Sequence, residues 1–528
     1  MSAQPSLLEE ITSLWADEIL AASQVRGGQI IVEVRRDPAG LCEWLANECG
    51  LQLAGMVVKE TDGWELHYLF YGREPGAGSV ALTLRAPHEQ DSFPSLSARV
   101  HAADWQEREA EDHFGIHFTG HPRLGDFVFH DEEWGEGLAP MRKSFDALHK
   151  PLQRHPDPDW HPRRILRAPG AFAMTVGPVH GGITEPAHFI LETVGEDVMR
   201  AYPRLFFKYR AVEKMAEGKS ADDALLLAER FNALQAFAHS FAFCQAVEKI
   251  AEIDAPPRAQ ALRVALLELE RLRSHVGAIR GICGSTALAV AESQAAILEE
   301  QLLRLSGVFC GHRYLFGLNV PGGLSRDLSD EACQDMSQRL DGLDVSLDDL
   351  DRLLSRSSSF LDRLEEVGIV TFQQAKEHGL VGPVARASGL VCDLRLAHPY
   401  SGYERYHLEV PEENDGDGYA RLRVLFFEAR QSVGVVRQVM KGLVSGPVRA
   451  EARPAAVSGS AVGWVEAAGG AAFHWLWLDG KGRVERYRIV PASFVNWHGF
   501  HLAAEGFAFQ DFPIILSTFA LSVSENDR

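Results

Sequence analysis

The sequence predicts a small α+β domain followed by a larger, mainly α-helical domain with small β-sheets. Up to about residue 150, short helix and strand patterns alternate; a proline-rich stretch follows, and beyond it long helical periodicities take over. At 528 residues the chain exceeds one ordinary core, since domains run to roughly 100–200 residues. Its 46% hydrophobic and 24% charged residues are the mixture of a folded globular protein.

Ser6-Leu7-Leu8-Glu9 has the form of a capping box, with Leu7, Ile11, Leu14 and Leu20 spaced for one helical face. Four β-rich runs come next, Gln29–Val34, Leu51–Lys59, Glu65–Tyr71 and Ser79–Leu84, and Thr61-Asp62-Gly63 supplies a hairpin turn. The expectation is a meander with flanking helices, over residues 1–150. Pro151, Pro156, Pro158 and Pro162 mark a stiff linker, 151–165, and the second domain occupies 166–528. Within it, Arg258–Cys283 repeats Leu262, Leu266, Leu269, Val276 and Ile279 at helical intervals. Glu331–Val367 reads as one or two acidic amphipathic helices, and Phe473–Leu478 with Val484–Val490 as a β-hairpin.

Composition excludes several functions. A net charge of −21 argues against nucleic acid or anionic lipid as the main partner. No apolar run approaches the ~20 residues of a membrane span, and the acidic N-terminal segment lacks the basic start of a secretory signal. Seven scattered cysteines without a Cys-x-x-Cys favour neither a disulfide scaffold nor a zinc knuckle, so a cytoplasmic location is expected.

The residues alone point to little chemistry. His113, His117 and His121 recur every four positions, but Gly115, Gly120 and Pro122 break the helix that would align them, so a loop is expected. The glycine turn Gly177-Pro178-Val179-His180-Gly181-Gly182, with Glu185 behind it, reads as a hairpin or as a close approach to a ligand. His239 in an apolar helical stretch is either a core histidine or a pocket residue. Glu268, Glu270, Arg271, Arg273 and His275 crowd one helix, as a buried ion-pair network or a catalytic one would.

Longer motifs carry a resemblance. Glu107-Arg108-Glu109-Ala110-Glu111-Asp112-His113-Phe114-Gly115-Ile116, then Gly120-His121-Pro122 and Pro140-Met141-Arg142-Lys143-Ser144-Phe145, resembles the 30-kDa subunit of respiratory complex I. From about residue 170 the chain is similar to the complex I 49-kDa subunit and, more closely, to the large subunit of group 4 (energy-converting) nickel–iron hydrogenases. The matching stretches include Gly177-Pro178-Val179-His180, Phe237-Ala238-His239-Ser240, Glu268-Leu269-Glu270-Arg271, Pro321-Gly322-Gly323, Arg386-Ala387-Ser388-Gly389, Asp393 with Arg395, and Gly416-Asp417. The fused arrangement resembles the formate hydrogenlyase large subunit.

The departures from that family bear on function. Its hydrogenases hold nickel and iron on two Cys-x-x-Cys pairs, because soft thiolates suit those metals. The resemblance puts Asn232 and Gln235 at the first pair, and Ser522 and Glu525 at the second. Of the complex I quinone pocket, the tyrosine, a second histidine and an aspartate correspond to Ala233, Thr184 and Ser285, and its Ala-Pro-Arg-Gly segment to Ala467-Ala468-Gly469-Gly470. His180, Glu185, His239 and Arg386 are retained, with Glu185 matching the proton-transfer glutamate of such hydrogenases; pairing with an arginine is the plainer role for it.

The resemblance therefore implies an energy-converting-hydrogenase-related subunit without a metal of its own. It would sit on the cytoplasmic, inner face of the cell membrane against a small iron–sulfur subunit, a ferredoxin-like subunit and integral membrane subunits. Electrons from a cluster in a partner would pass to a quinone or another acceptor, with proton movement through the pocket. A redox-inactive scaffold and a formate-hydrogenlyase-type hydrogenase are the alternatives.

Overall fold

The computed structural model describes residues 6–25, 28–134, 137–146, 157–161, 165–179, 185–451 and 457–528. It divides into two compact units, Met1–Arg163 with Glu377–Gly379, and Arg164–Lys376 with Leu380–Arg528. Most of the expected linker, 151–156 and 162–164, lies outside the described residues.

In the first unit, helix α1 (Leu7–Leu14) starts with the expected capping box: the Ser6 N–H donates to Glu9 Oε2 (2.7 Å) and the Glu9 N–H to Ser6 Oγ (3.3 Å). Leu20 is not on this helix. It lies in β1 (Ile19–Gln24), 54% exposed. The sheet continues through β2 (Ile30–Val34), then α2 (Ala39–Asn47), β3 (Gln52–Glu60), β4 (Gly63–Tyr71) and β5 (Ser79–Pro87). Its order is β1-β2-β5-β4-β3, and β2 runs parallel to β5. The meander expectation holds for β3–β5 only. A parallel partner needs a crossover, and α2 with the β3–β4 hairpin provides one.

A short parallel pair, β6 (Ser92–Pro94) and β7 (His117–Thr119), flanks α3 (Asp104–Phe114). Helix α3 ends at Gly115, whose φ of 62° suits a residue without Cβ, so His113, His117 and His121 share no helix. The acidic motif on α3 fastens loops. Glu107 accepts from the Ser95 hydroxyl and the Leu96 N–H, and Asp112 from the N–H groups of Val128 and Phe129. Burial pushes both carboxyls up to about 7 despite those bonds.

The second unit opens with an antiparallel sheet, β8 (Ala171–Val176), β9 (His188–Val194) and β10 (Asp197–Arg204), extended by Phe507–Ala508. Helices α4 (Val212–Ala216), α5 (Ala221–Arg230), α6 (Ala236–Ala251), α7 (Pro257–Ser285) and α8 (Ala289–Cys310) follow. Strands β11 (Asn319–Val320) and β12 (Gly323–Leu324) form a minimal pair. The acidic stretch becomes α9 (Asp330–Leu354) and α10 (Ser358–Leu361). Along α9, Cys333, Met336, Leu340, Leu343, Leu347, Leu350 and Leu354 are buried at alternating three- and four-residue steps, a heptad seam.

Short helices α11 (Phe372–Glu377), α12 (Gly382–Ala387) and α13 (Leu394–Ala397) lead to α14 (Gly418–Lys441), which packs along α7 and α9. Part of the α9 acidity is neutralised there. Arg423 reaches Asp351, Arg430 reaches Asp348 and Asp351, and Arg437 reaches Asp341 and Asp344, at 2.6–2.9 Å. The expected hairpin, β14 (Gly470–Leu478) with β15 (Val484–Val490), is joined by a third strand, β13 (Gly459–Ala467). This sheet lies against α6 at Gly463, where a Cβ would be 1.8 Å from the Ala242 carbonyl oxygen. The chain closes with α15 (Ala492–Ala504), α16 (Phe512–Phe519) and α17 (Val523–Asn526).

Candidate functional site: a polar seam between two helical turns

The two segments matched to the family's cysteine pairs both begin helical turns. Asn232 precedes the 3-10 turn Ala233–Gln235 and its Oδ1 accepts from the Leu234 N–H at 3.1 Å. Ser522 precedes α17 and its Oγ accepts from the Glu525 N–H at 3.2 Å. Asn and Ser are good N-cap residues, because each supplies a side-chain oxygen to an orphan backbone donor. At the next helix, the Glu270 carboxylate on α7 accepts from the first free N–H groups of α6, Phe237 (2.7 Å) and Ala238 (2.9 Å). Burial pushes Glu270 up to about 7, with Arg273 and the two N–H groups opposing.

The turns are stapled together. Arg210 donates to the Phe231 carbonyl (2.6 Å), the Asp527 carbonyl (2.9 Å) and the Ser524 carbonyl. Ser493 donates its N–H to Glu525 Oε2 (3.3 Å), and its Oγ accepts from the Ser522 N–H (3.2 Å). Asp527 accepts from the Phe206 and Lys208 N–H groups, both at 2.9 Å; burial still lifts its carboxyl to about 6.

From this seam a buried chain of hydrogen bonds runs inward. Glu525 Oε1 lies 3.0 Å from His239 Nε2, His239 Nδ1 lies 3.0 Å from His474 Nε2, and His474 Nδ1 lies 2.6 Å from the Tyr487 hydroxyl. All four side chains are fully buried. A carboxylate only accepts, so an ionised Glu525 fixes the direction. His239 donates from Nε2 and accepts at Nδ1; His474 donates from Nε2 and accepts the Tyr487 hydroxyl proton at Nδ1. Burial, reinforced by His239 beside it, holds His474 well below the ordinary imidazole value, so this ring is neutral.

At the outer end, half-buried Glu185 accepts from the Val523 N–H (2.5 Å) and the Ser522 hydroxyl (3.3 Å). Among the described residues no arginine pairs with it; Arg210 acts on it only from further off. Its expected neighbour His180 lies outside the described residues.

Arg386 belongs elsewhere. Its guanidinium, fully buried, bonds Glu428 (2.7 Å), Glu466 (2.9 Å) and the Cys392 carbonyl (2.7 Å). Glu428 also meets His275 (3.0 Å) and Arg271 (3.4 Å), while Glu268 binds Arg395 (3.0 Å), the Tyr403 hydroxyl and the Ser432 hydroxyl (both 2.7 Å). Four carboxyl groups and three guanidiniums thus meet in one buried network, and the contacts of Arg386 are with that network. Burial and the nearby Asp393 raise Glu466 to about 7, so that this carboxyl relieves the excess negative charge. A third cluster places Glu213 against Arg486 (3.0 Å), Arg528 (3.3 Å) and Arg488 (3.4 Å), which outweigh burial and hold it below the carboxylate range.

The donor set does not fit a nickel–iron centre. Asn232 spends its amide oxygen on a cap, and Glu525 both oxygens on an imidazole and a backbone N–H. Gln235 and Ser522 add neutral oxygen, and soft thiolate is what those metals require. Cys244 and Cys283 are buried core residues whose thiols burial pushes upward.

Fold and site together describe a two-part large subunit of the hydrogenase and respiratory-dehydrogenase type. Residues 29–151 match the family model of the respiratory-chain NADH dehydrogenase 30 Kd subunit, and residues 294–461 and 451–528 that of the 49 Kd subunit. The chain is 29% identical to formate hydrogenlyase subunit 5 of Escherichia coli K12 over 90% of its own length and 84% of that protein. It is 28% identical to the C/D subunit of the NADH-quinone oxidoreductase of Gluconacetobacter diazotrophicus, over 99% and 96% of the two chains. With the carbon monoxide-induced hydrogenase of Rhodospirillum rubrum it shares 30% identity over 68% of this chain and 99% of the relative. The chain belongs to the family of fused 30-kDa/49-kDa complex I subunits and related hydrogenase large subunits. Among the described residues, no helix is long and apolar enough to cross a membrane.

Sequence reasoning did not find His474, Tyr487, Ser493, Arg210, Glu428 or Glu466. His474 and Glu428 could have been noticed as single polar residues inside the apolar runs of β14 and α14. Ser493 and Arg210 carry no local signal, because their role exists only where distant segments meet.

Proposed function

We propose that this chain is the peripheral large subunit of a membrane-associated, complex-I-like oxidoreductase that holds no nickel–iron centre. An iron–sulfur cluster in a small partner subunit would deliver electrons to a quinone or similar acceptor beside Glu185, on the cytoplasmic face, with ferredoxin-like and integral membrane subunits completing the assembly. Reduction of a quinone to its quinol consumes two electrons and two protons, so the site needs a proton donor. The observation that carries this reading is Glu185: half-buried, hydrogen-bonded to the tail, and, among the described residues, without an arginine partner that would lock its charge. Family membership supports the assembly, and the relatives' names include both quinone oxidoreductase and hydrogenlyase subunits.

The test is quinone reduction by the purified complex carrying Glu185→Gln or His180→Ala. A fall of at least about a hundredfold for Glu185→Gln is expected, within the usual worth of a general acid. Wild-type rates in both variants would defeat the assignment.

A redox-inactive scaffold is the second reading. It is favoured by the capping roles of Asn232 and Ser522 and by the sealed environment of Arg386. On that reading both variants keep their rates, while Ser522→Ala lowers stability by about 1 kcal/mol through the lost cap.

A further inference from the structure

Between the two stapled turns lie buried amide groups that the protein itself does not satisfy. The Asn526 side chain, fully buried, has neither its Nδ2 nor its Oδ1 hydrogen-bonded. Asn232 Nδ2 and Gln235 Oε1 are likewise unpaired, on side chains 1% and 6% exposed. Gln235 lies beside Gly469 and Ala492, next to the Ser493 that binds Ser522 and Glu525, while Asn526 follows Glu525 directly. Asn232 caps the turn that carries Gln235, so the three amides sit on segments that meet around Glu525. Leaving such groups dry is costly, and buried water characteristically bonds two to four of them.

We propose that the amides of Asn232, Gln235 and Asn526 form a binding site for a small cluster of ordered water, and that this water links Glu185 to Glu525. The free groups include two N–H donors and two carbonyl acceptors, which suits a neutral ligand able to give and take hydrogen bonds. An anion would meet Glu525 and Glu185; a cation would meet amide N–H groups. Proton passage balances simply. Once Glu185 has given up its proton, a proton held on Glu525 passes to one water, that water gives one of its own to the next, and the last reprotonates the Glu185 carboxylate. Each step breaks one O–H bond and makes another, and Glu525 ends ionised. The use of the water rests on the proton-coupled function proposed above; the site itself does not.

Two measurements on the purified assembly test this. Density maps resolving water should show at least two peaks at hydrogen-bonding distance from Gln235 Oε1 or the Asn526 amide; side chains bonded directly to protein, with no space between, would overturn the proposal. Asn526→Leu and Gln235→Met keep side-chain size but remove the polar groups. Both variants are expected to lower the thermal midpoint by about 2 °C or more, because hydrated groups lose their partners. An unchanged or raised midpoint would mean that the amides are dry and costly, and would sink the site; if one variant does not fold, the other decides. Water peaks with a silent Glu185→Gln would retain the site and remove the proton function instead.

Discussion

Glu525, His239, His474 and Tyr487 show how a side chain's neighbours set its state. The carboxylate needs a donor, His239 supplies one, and each ring passes the requirement inward until the Tyr487 hydroxyl meets it. Tyr487→Phe would leave His474 Nδ1 without its donor, and a loss of about 1–3 kcal/mol in chemical denaturation is expected. The same variant should shift the ring-nitrogen resonances of His474 and His239, which a purely steric change would leave in place. Glu270 has a different signature. Its folded pKa, about 7, stands above the unfolded value, so the folded state binds the extra proton between about 4.5 and 7. Stability is therefore full below that range and falls as pH rises through it, by about 3 kcal/mol at the limit. Glu270→Gln should flatten the profile of thermal midpoint against pH over this window; an unchanged slope would assign the titration to another group. At this scale the sequence was partly legible. His239 and Glu185 drew notice by motif, whereas the partners of His239 lie 235 and 286 residues along the chain, beyond any local pattern.

The α9–α14 pair shows which interactions hold elements together. Seven buried residues of α9 form the apolar seam, and Arg423, Arg430 and Arg437 of α14 clasp its acidic flank. Exposed ion pairs contribute about 0–1 kcal/mol, while truncating a buried leucine costs about 2–5 kcal/mol. Arg430→Ala, with its side chain about a third exposed, is accordingly expected to cost less than about 1 kcal/mol. Leu347→Ala should cost at least twice that in urea denaturation. Comparable losses would mean that the clasps, not the seam, dominate. The sequence exposed this stretch by its amphipathic pattern, but not the arginines that meet its acidic flank, which lie about 70–100 residues away. The β3–β5 meander was equally legible, but the parallel β2–β5 pairing was not, since parallel register is set by the crossover and not by the strands' own pattern.

For the molecule as a whole, the two-part architecture and the family were visible in ordered motifs, and the structure shows what several motifs do. The acidic α3 motif fastens loops, Glu268 and Arg386 join a sealed charge network, and Asn232 and Ser522 cap turns. Asn232 and Ser522, at the positions the resemblance matches to the family's thiolates, satisfy backbone donors that a helix start leaves open. Removing one member of the sealed network should be far more harmful than any single cap. Glu428→Ala leaves Arg386 and Arg271 short of charge in a dry interior, and a loss of about 3–5 kcal/mol in denaturant unfolding is expected.

Elemental analysis of the purified complex decides whether the seam between Asn232 and Glu525 is built of hydrogen bonds and not of metal–thiolate bonds. Nickel far below one atom per large subunit is the expected result, with iron accounted for by partner clusters. One nickel per chain, retained after chelator treatment, would contradict it.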